Sequence, residues 1–139
     1  SHPTSKTFYG IYENQEAIRK KQMAIIFEGE KSVMKFGTYY GSENNIALAT
    51  LGQNISKEQI QLLLDLDVRY VVLAYDADYE TYDELHEKEA QYKKIAKILT
   101  PYFNVSMLID YDLELPFKDS PVDMGKEVFE RLLREKINL

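Results

Sequence analysis

Residues 70–78 read YVVLAYDAD, an apolar run that ends abruptly in two carboxylates. An earlier run has the same form, because residues 25–30 read IIFEGE. Continuous apolar runs of this length are typical of strands that are buried on both faces of a parallel sheet. Open α/β folds place their functional groups at the carboxyl edge of such a sheet. The two runs therefore predict an α/β protein in which Glu28, Asp76 and Asp78 lie at one edge.

The rest of the chain alternates short β-rich runs with amphipathic helical stretches, as βαβ units do. Strands are predicted at residues 23–27, 45–50, 70–75 and 105–109, which gives a mainly parallel sheet of about four strands flanked by helices. Helices are predicted at residues 13–21, 30–40, 56–66, 83–99 and 124–136. Ser56 followed by Gln59 forms a capping-box signature, which marks the start of the third helix.

The length and the charge of the chain limit its organisation and its partners. With 139 residues we expect a single domain over residues 1–139. Because the chain begins with Ser1 rather than Met, we expect this domain to be a fragment of a larger protein. Residues 1–7 are predicted to be a tag or a disordered tail. The chain has 17 Lys plus Arg against 23 Asp plus Glu, a net charge of −6. This acidic balance argues against a surface that grips nucleic acid by itself.

The residue types that are scarce in the chain restrict its metal chemistry. There are no cysteines, and the two histidines are His2 and His86, so any metal site must use oxygen ligands. No apolar stretch approaches the roughly 18–20 residues of a membrane span, so we expect a soluble, cytoplasmic protein. The charged run of residues 84–97 places acids four positions before bases, which predicts an exposed helix stabilised by surface ion pairs.

The acids at the two strand ends favour a hard divalent cation, and each also has a structural explanation. Asp76 and Asp78, separated by the small Ala77, can both turn toward one site where the strand breaks into a loop. Mg²⁺ takes about one or two protein carboxylates, together with water and substrate phosphates. The alternative is a turn closed by Asx-type hydrogen bonds. Glu28 precedes Gly29, which permits a tight turn into a helix, but it could equally be a solvated residue.

Further acids follow the fourth predicted strand, on the same expected edge of the sheet. They are Asp110, Asp112, Asp119 and Asp123. The sequence leaves open whether any of them binds a metal, and Asp123 could instead cap the last helix.

Three short motifs, taken in order, resemble the Toprim domain of bacterial DnaG-type DNA primases. They are FEGEKS at residues 27–32, ATLG at residues 49–52 and YDAD at residues 75–78. Their order and their strand-end placement both agree with that family. The resemblance extends over nearly the whole chain, and the combination is much more specific than any one motif.

The resemblance implies a Toprim fold, which is Rossmann-like, and a set of site residues. Glu28 matches the family's catalytic glutamate, and Asp76 and Asp78 match its Asp-x-Asp pair. These three residues would be both catalytic groups and ligands of Mg²⁺ or Mn²⁺. The family commonly has an aspartate four residues after the glutamate, where this chain has Ser32, so a metal ligand is not expected there. The family's acidic motif after the last strand makes Asp123 a further candidate ligand.

The resemblance also implies a function. It is metal-dependent nucleotidyl transfer for RNA primer synthesis in DNA replication, with a single-stranded DNA template and nucleoside triphosphates bound through the parent protein and a replicative helicase as partner. One alternative is a Toprim nuclease of the overcoming-lysogenisation or topoisomerase-related type. Another is a non-enzymatic regulatory α/β module with clustered aspartates. A phosphoreceiver is disfavoured, because it needs a lysine after a late strand and the nearest here is Lys118.

Overall fold

A five-stranded sheet forms the centre of the fold. The computed structural model describes residues 5–139. The strands are β1 (Met23–Phe27), β2 (Ala47–Ala49), β3 (Tyr70–Leu73), β4 (Asn104–Met107) and β5 (Ile137–Asn138). Their order is β2-β1-β3-β4-β5, in which β1 to β4 are parallel and β5 pairs antiparallel with β4. The predicted α/β class is confirmed, and the strand missed by the prediction is β5. It is two residues long and exposed, so it carries no apolar pattern.

Five α-helices connect and flank the strands. They are α1 (Ile11–Lys21), α2 (Glu30–Tyr40), α3 (Lys57–Asp65), α4 (Tyr82–Leu99) and α5 (Lys126–Arg134), with a 3₁₀ turn at Ser42–Asn44. All five predicted helices are present. Helix α5 is shorter than predicted at both ends. At its start, Gly125, with a φ of 99°, is the N-cap residue, and after its end Ile137 and Asn138 pair with β4. No helix within residues 5–139 is long and apolar enough to cross a membrane.

The predicted capping box begins α3 and also holds Ser5 and Thr7. The Ser56 hydroxyl accepts the Gln59 backbone N–H at 3.1 Å, and Gln59 Oε1 accepts the Ser56 N–H at 2.9 Å. The Ser56 hydroxyl and the Gln59 amide then donate to the backbone carbonyls of Ser5 and Thr7. Residues 1–4, part of the stretch predicted as a tag or disordered tail, lie outside the described residues.

Aromatic side chains pack α2 and α5 against the end of β1. The rings of Phe27 and Phe36 lie 6.4 Å apart, and Phe129 from α5 lies 6.1 Å from Phe27 and 5.8 Å from Phe36. Phe27 and Phe129 are fully buried. This packing holds the last residue of β1 against α2, and it therefore fixes the position at which Glu28 leaves the sheet.

The strand order creates a topological switch point between β1 and β3. The chain leaves β1 through α2 toward β2 on one side, and it leaves β3 through α4 toward β4 on the other. The two connections therefore diverge at the carboxyl ends of these adjacent strands, which leaves a crevice where open α/β sheets bind ligands. Glu28 and Asp76, the first acids after β1 and β3, lie at this crevice.

Candidate active site

Glu28 and Asp76 are in direct contact at the switch point. The Asp76 backbone N–H donates to Glu28 Oε1 at 3.0 Å, so the glutamate holds the loop that follows β3. The loop then turns tightly, and the Asp78 N–H donates to the Asp76 carbonyl at 2.9 Å. The structure thus places the three acids predicted from the strand ends at one edge of the sheet.

A buried lysine lies between two of these acids. Lys88, from the second turn of α4, has its Nζ 3.7 Å from Glu28 Oε1 and 3.4 Å from Asp78 Oδ2. Its side chain is 2 % exposed, and Nζ lies 5.7 Å from the ring centroids of both Tyr75 and Tyr92. Aromatic faces and carboxylates both attract an ammonium group.

The prediction of an exposed charged helix is wrong at Lys88. The surface-pair pattern of α4 covers its other face, whereas Lys88 lies on the buried face with Leu85 and Tyr92, at helical spacing. Positions i, i+3 and i+7 share one face of a helix, so periodicity alone contained this signal. A lysine on an apolar face is a candidate for a buried ion pair, because an isolated buried charge is strongly unfavourable.

The loop after β2 contributes a neutral side chain to the same cluster. Gln53 Nε2 lies 3.4 Å from Asp78 Oδ2, and the Tyr75 hydroxyl donates to the Gln53 carbonyl at 2.9 Å. The loop begins with Leu51, which has a positive φ of 60° and is largely exposed. Sequence reasoning missed Gln53, because a polar residue in a loop carries no periodic or charge signal.

Asp123 approaches the site from the segment before α5. Its Oδ2 accepts the Ser120 N–H at 2.8 Å, and Lys35 Nζ lies 3.8 Å from its Oδ1. Asp123 does not cap α5, since Gly125 occupies the N-cap position. Together with Asp76 it lines a cavity of about 350 Å³ beside the first turn of α2. The other lining residues are Gly29, Glu30, Lys31, Ser32, Lys118 and Ser120.

Two further contacts hold the segment before α5 against the acids. Ser32 is buried, and its hydroxyl donates to the Ser120 hydroxyl at 2.8 Å. Ser32 therefore supports the loop that carries Asp123. In addition, the Ala77 N–H donates to the Asp119 carbonyl and the Lys118 N–H donates to the Ala77 carbonyl, both at 2.8 Å.

Two of the acids left open by the sequence form ion pairs with the same arginine. Arg131 of α5 lies 3.1 Å from Asp110 Oδ1 and 3.1 Å from Asp112 Oδ2. The Asp110 side chain is fully buried and also accepts the Leu115 N–H at 2.7 Å. These contacts give Asp110 and Asp112 a structural explanation, because they tie α5 to the loop that follows β4.

Burial and crowding of negative charge alter the protonation of the acids. Burial raises the pKa of Glu28, and Lys88 partly opposes this effect. The pKa of Asp76 rises from 3.8 to about 7, first because of burial and then because of the charges of Glu28, Asp78 and Asp123. Such shifts occur where like charges are held together, which is a common property of functional sites.

The Asp76 pKa predicts how the stability of the metal-free chain depends on pH. In the folded state Asp76 retains its proton up to about pH 7, whereas in the unfolded chain it loses it near pH 3.8. The folded state therefore binds more protons in this window, so the free energy of unfolding falls as the pH rises from about 4 through 7. Urea unfolding in EDTA across this range measures the slope. We expect Asp76→Asn to reduce the slope, and parallel curves for the two proteins would contradict the assignment.

The donor set fits a lightly held Mg²⁺ rather than a cage made of protein. Among residues 5–139, no group of three or more His, Cys, Asp or Glu side chains is arranged to hold a metal ion. Asp76 and Asp123 nevertheless line one cavity. Mg²⁺ takes about one or two carboxylates and completes its shell with water and substrate phosphates. These residues are therefore suited to a metal that binds together with substrate.

Comparison with known families finds a match over the part of the chain that carries three of the acids of the site. Residues 23–83 match the family described as the Toprim domain. This range includes β1, β2 and β3 with Glu28, Asp76 and Asp78, the residues at the switch point. The chain is therefore similar to Toprim domains over this range, and its fold is similar to that of part of the DnaG catalytic core, of which it covers 40%.

One curated relative and several solved structures are similar to this chain. The chain is 39% identical over 148 residues to the SPbeta prophage-derived uncharacterized protein YorJ of Bacillus subtilis (strain 168), covering 100% of the chain and 39% of that protein. A DNA primase domain from Pseudomonas aeruginosa superposes with a TM-score of 0.68 at 21% identity, over 94% of this chain and 39% of that one. A DnaG primase catalytic domain bound to ssDNA superposes with a TM-score of 0.64 at 23% sequence identity. The superposition covers 94% of this chain and 40% of that one. The chain thus spans about two fifths of the length of each of these proteins.

Proposed function

We propose that this chain is the metal-binding catalytic domain of a primase, a nucleotidyltransferase that synthesises RNA primers on single-stranded DNA during replication. The observation that carries the proposal is the meeting of four acids at the switch point. Glu28 holds the Asp76 backbone, Asp78 follows in the same loop, and Asp123 joins Asp76 in one cavity. The fold shared with DnaG primase catalytic cores supports this reading.

The four acids divide into two pairs in the proposed site. Asp76 and Asp123 would hold Mg²⁺, with Asp78 and Glu28 next to them. A divalent ion there supplies charge neutralisation of the nucleotide phosphates and of the developing charge in nucleotidyl transfer. Glu28 fixes the loop through the Asp76 N–H and adds negative charge to the site.

Basic groups beside the acids are placed to bind the nucleotide. Lys31 and Lys118 line the same cavity as Asp76 and Asp123. Their ammonium groups would offer point charges to the oxygens of a triphosphate, and residues of the first turn of α2 line the same cavity. The cavity therefore combines cation ligands with phosphate-binding groups, as nucleotidyl transfer requires.

The negative charge of the chain assigns the DNA-binding surface to other parts of the parent protein. A net charge of −6 gives little electrostatic attraction for a phosphate backbone. One structure similar to this chain is a DnaG primase catalytic domain bound to ssDNA, of which this chain corresponds to 40%. We therefore propose that the template is held mainly by segments outside this chain, and that a replicative helicase is a partner of the whole protein.

The proposal predicts a clear difference between this chain and its parent. The chain alone binds Mn²⁺ weakly, as isothermal titration would show, and makes no RNA on a single-stranded template. The parent protein, given template, nucleoside triphosphates and Mg²⁺, makes short template-dependent RNA. Robust synthesis by the chain alone would contradict the assignment of DNA binding to other segments. Mn²⁺-dependent cleavage of DNA by the parent, without primer synthesis, would instead identify a Toprim nuclease.

A further inference from the structure

Lys88 is buried within the acidic site, which is an unusual position for a lysine side chain. Its side chain is 2 % exposed, while most lysines stay in water. A buried ammonium is tolerated when opposite charges and hydrogen-bond acceptors surround it. Here Glu28 and Asp78 supply the charges, and Tyr75 and Tyr92 supply aromatic faces on the remaining sides.

The ammonium group occupies the space between the two acids. Glu28 Oε1 and Asp78 Oδ2 both lie within 3.7 Å of Nζ. A divalent cation that bridges two carboxylates must lie about 2.0–2.1 Å from each oxygen, as Mg²⁺ does. An ion bridging Glu28 and Asp78 would therefore lie close to Nζ, where the charge of the lysine would repel it.

The other side of the site is different in this respect. Asp76 and Asp123 face the cavity of about 350 Å³, which Glu28, Asp78 and Lys88 do not line. The acidic site is thus divided into an open half at Asp76 and Asp123 and a half that is filled by a cation belonging to the protein.

We infer that Lys88 is a built-in cation of the site: it takes the place of a second divalent ion between Glu28 and Asp78, so that the chain binds a single divalent ion at Asp76 and Asp123. This inference rests on the proposed function, because it concerns the metal of the same site. Lys88 is a positioning residue in this account. It holds Glu28 and Asp78 in place without a metal, and Glu28 in turn holds the Asp76 backbone.

Removing the lysine charge tests the inference through metal binding. Lys88→Met keeps most of the side-chain length and removes the charge. Mn²⁺ titrations, followed by calorimetry and by the electron paramagnetic resonance signal of free Mn²⁺, should give one bound ion for the unchanged chain and two for the variant. Lys94→Met is the matched control, because Lys94 is an exposed residue of the same helix, and it should bind one ion.

Thermal unfolding provides a second readout that does not depend on activity. Without metal, Lys88→Met leaves Glu28 and Asp78 facing each other, so its Tm should be lower than that of Lys94→Met. Saturating Mn²⁺ should raise the Tm of Lys88→Met more than that of the unchanged chain, since ligands stabilise the state that binds them. If Lys88→Met does not fold, Lys88→Gln, which keeps a hydrogen-bond donor without the charge, replaces it. We expect Lys88→Gln also to bind two Mn²⁺ ions and to show the larger increase of Tm on addition of Mn²⁺.

The outcomes separate this inference from the proposed function. In one outcome the unchanged chain binds one ion, Asp76→Asn binds none, and the Lys88 variants still bind one ion with unchanged affinity. This outcome would support the metal site and would show that the role given to Lys88 is wrong. If the unchanged chain binds two ions, the role of Lys88 is likewise wrong. If neither the unchanged chain nor the Lys88 variants bind Mn²⁺, both the metal site and the inference fail.

Discussion

Replacing Asp76 by asparagine is expected, under the proposed function, to lower primer synthesis by the proposed parent primase at least about 100-fold. Charge stabilisation by a bound metal is worth several kcal/mol, and each 1.36 kcal/mol corresponds to a factor of about ten in rate. Asp76 is the acid that contacts Glu28 through its backbone and also lines the cavity with Asp123. Asparagine keeps the size and the backbone N–H, so the variant removes the carboxylate charge with little change of shape. Primer yield per time on a single-stranded template measures the effect.

A control and a folding measurement make this result specific. Glu87→Gln removes one negative charge from an exposed position of α4 and should retain primer synthesis within about twofold, since exposed groups contribute little. Asp76→Asn should be as stable as the unchanged protein or more stable at pH 8, because the carboxylate it removes is repelled by Glu28, Asp78 and Asp123. Full primer synthesis by Asp76→Asn would remove this residue from the catalytic site.

Replacing Arg131 by methionine is expected to lower the free energy of unfolding by about 3–5 kcal/mol, a large share of the total for one domain. Asp110 has a fully buried side chain, which receives hydrogen bonds from Arg131 Nη2 at 3.1 Å and from the Leu115 N–H at 2.7 Å. Removal of the arginine leaves a buried carboxylate without its counter-ion. Urea unfolding, monitored by circular dichroism, measures the loss.

The neighbouring arginine of the same helix provides the control. Arg134 is exposed near the end of α5, and Arg134→Met should cost less than about 1 kcal/mol. The double variant Asp110→Asn with Arg131→Met should recover part of the lost stability, because it removes the unpaired charge. Equal effects of the two arginine variants would show that Arg131 acts as a surface residue and that its pair with Asp110 contributes little.

Local sequence signals predicted most elements of the fold. The apolar runs before Glu28 and Asp76 gave β1 and β3, since parallel strands buried on both faces need such runs. The serine and glutamine of the capping box located the start of α3, because both hydrogen bonds are made within four residues. Strand β5 was not predictable in this way. It is held by pairing with β4 and by the ordering of α5, which are contacts between residues distant in sequence.

The candidate site divides along the same line. The sequence by itself determined which acids follow the buried strands, because each acid directly follows a local apolar run. The alternation of strands and helices predicted parallel strands, and hence that Glu28, Asp76 and Asp78 share an edge. Only the tertiary structure decided how the charges are balanced. Packing of α4 places Lys88 between Glu28 and Asp78, and packing of α5 gives Arg131 to Asp110. The ion pairing of buried groups depends on how each helix packs against the sheet and its loops. That packing is determined by contacts throughout the core, between residues distant in sequence.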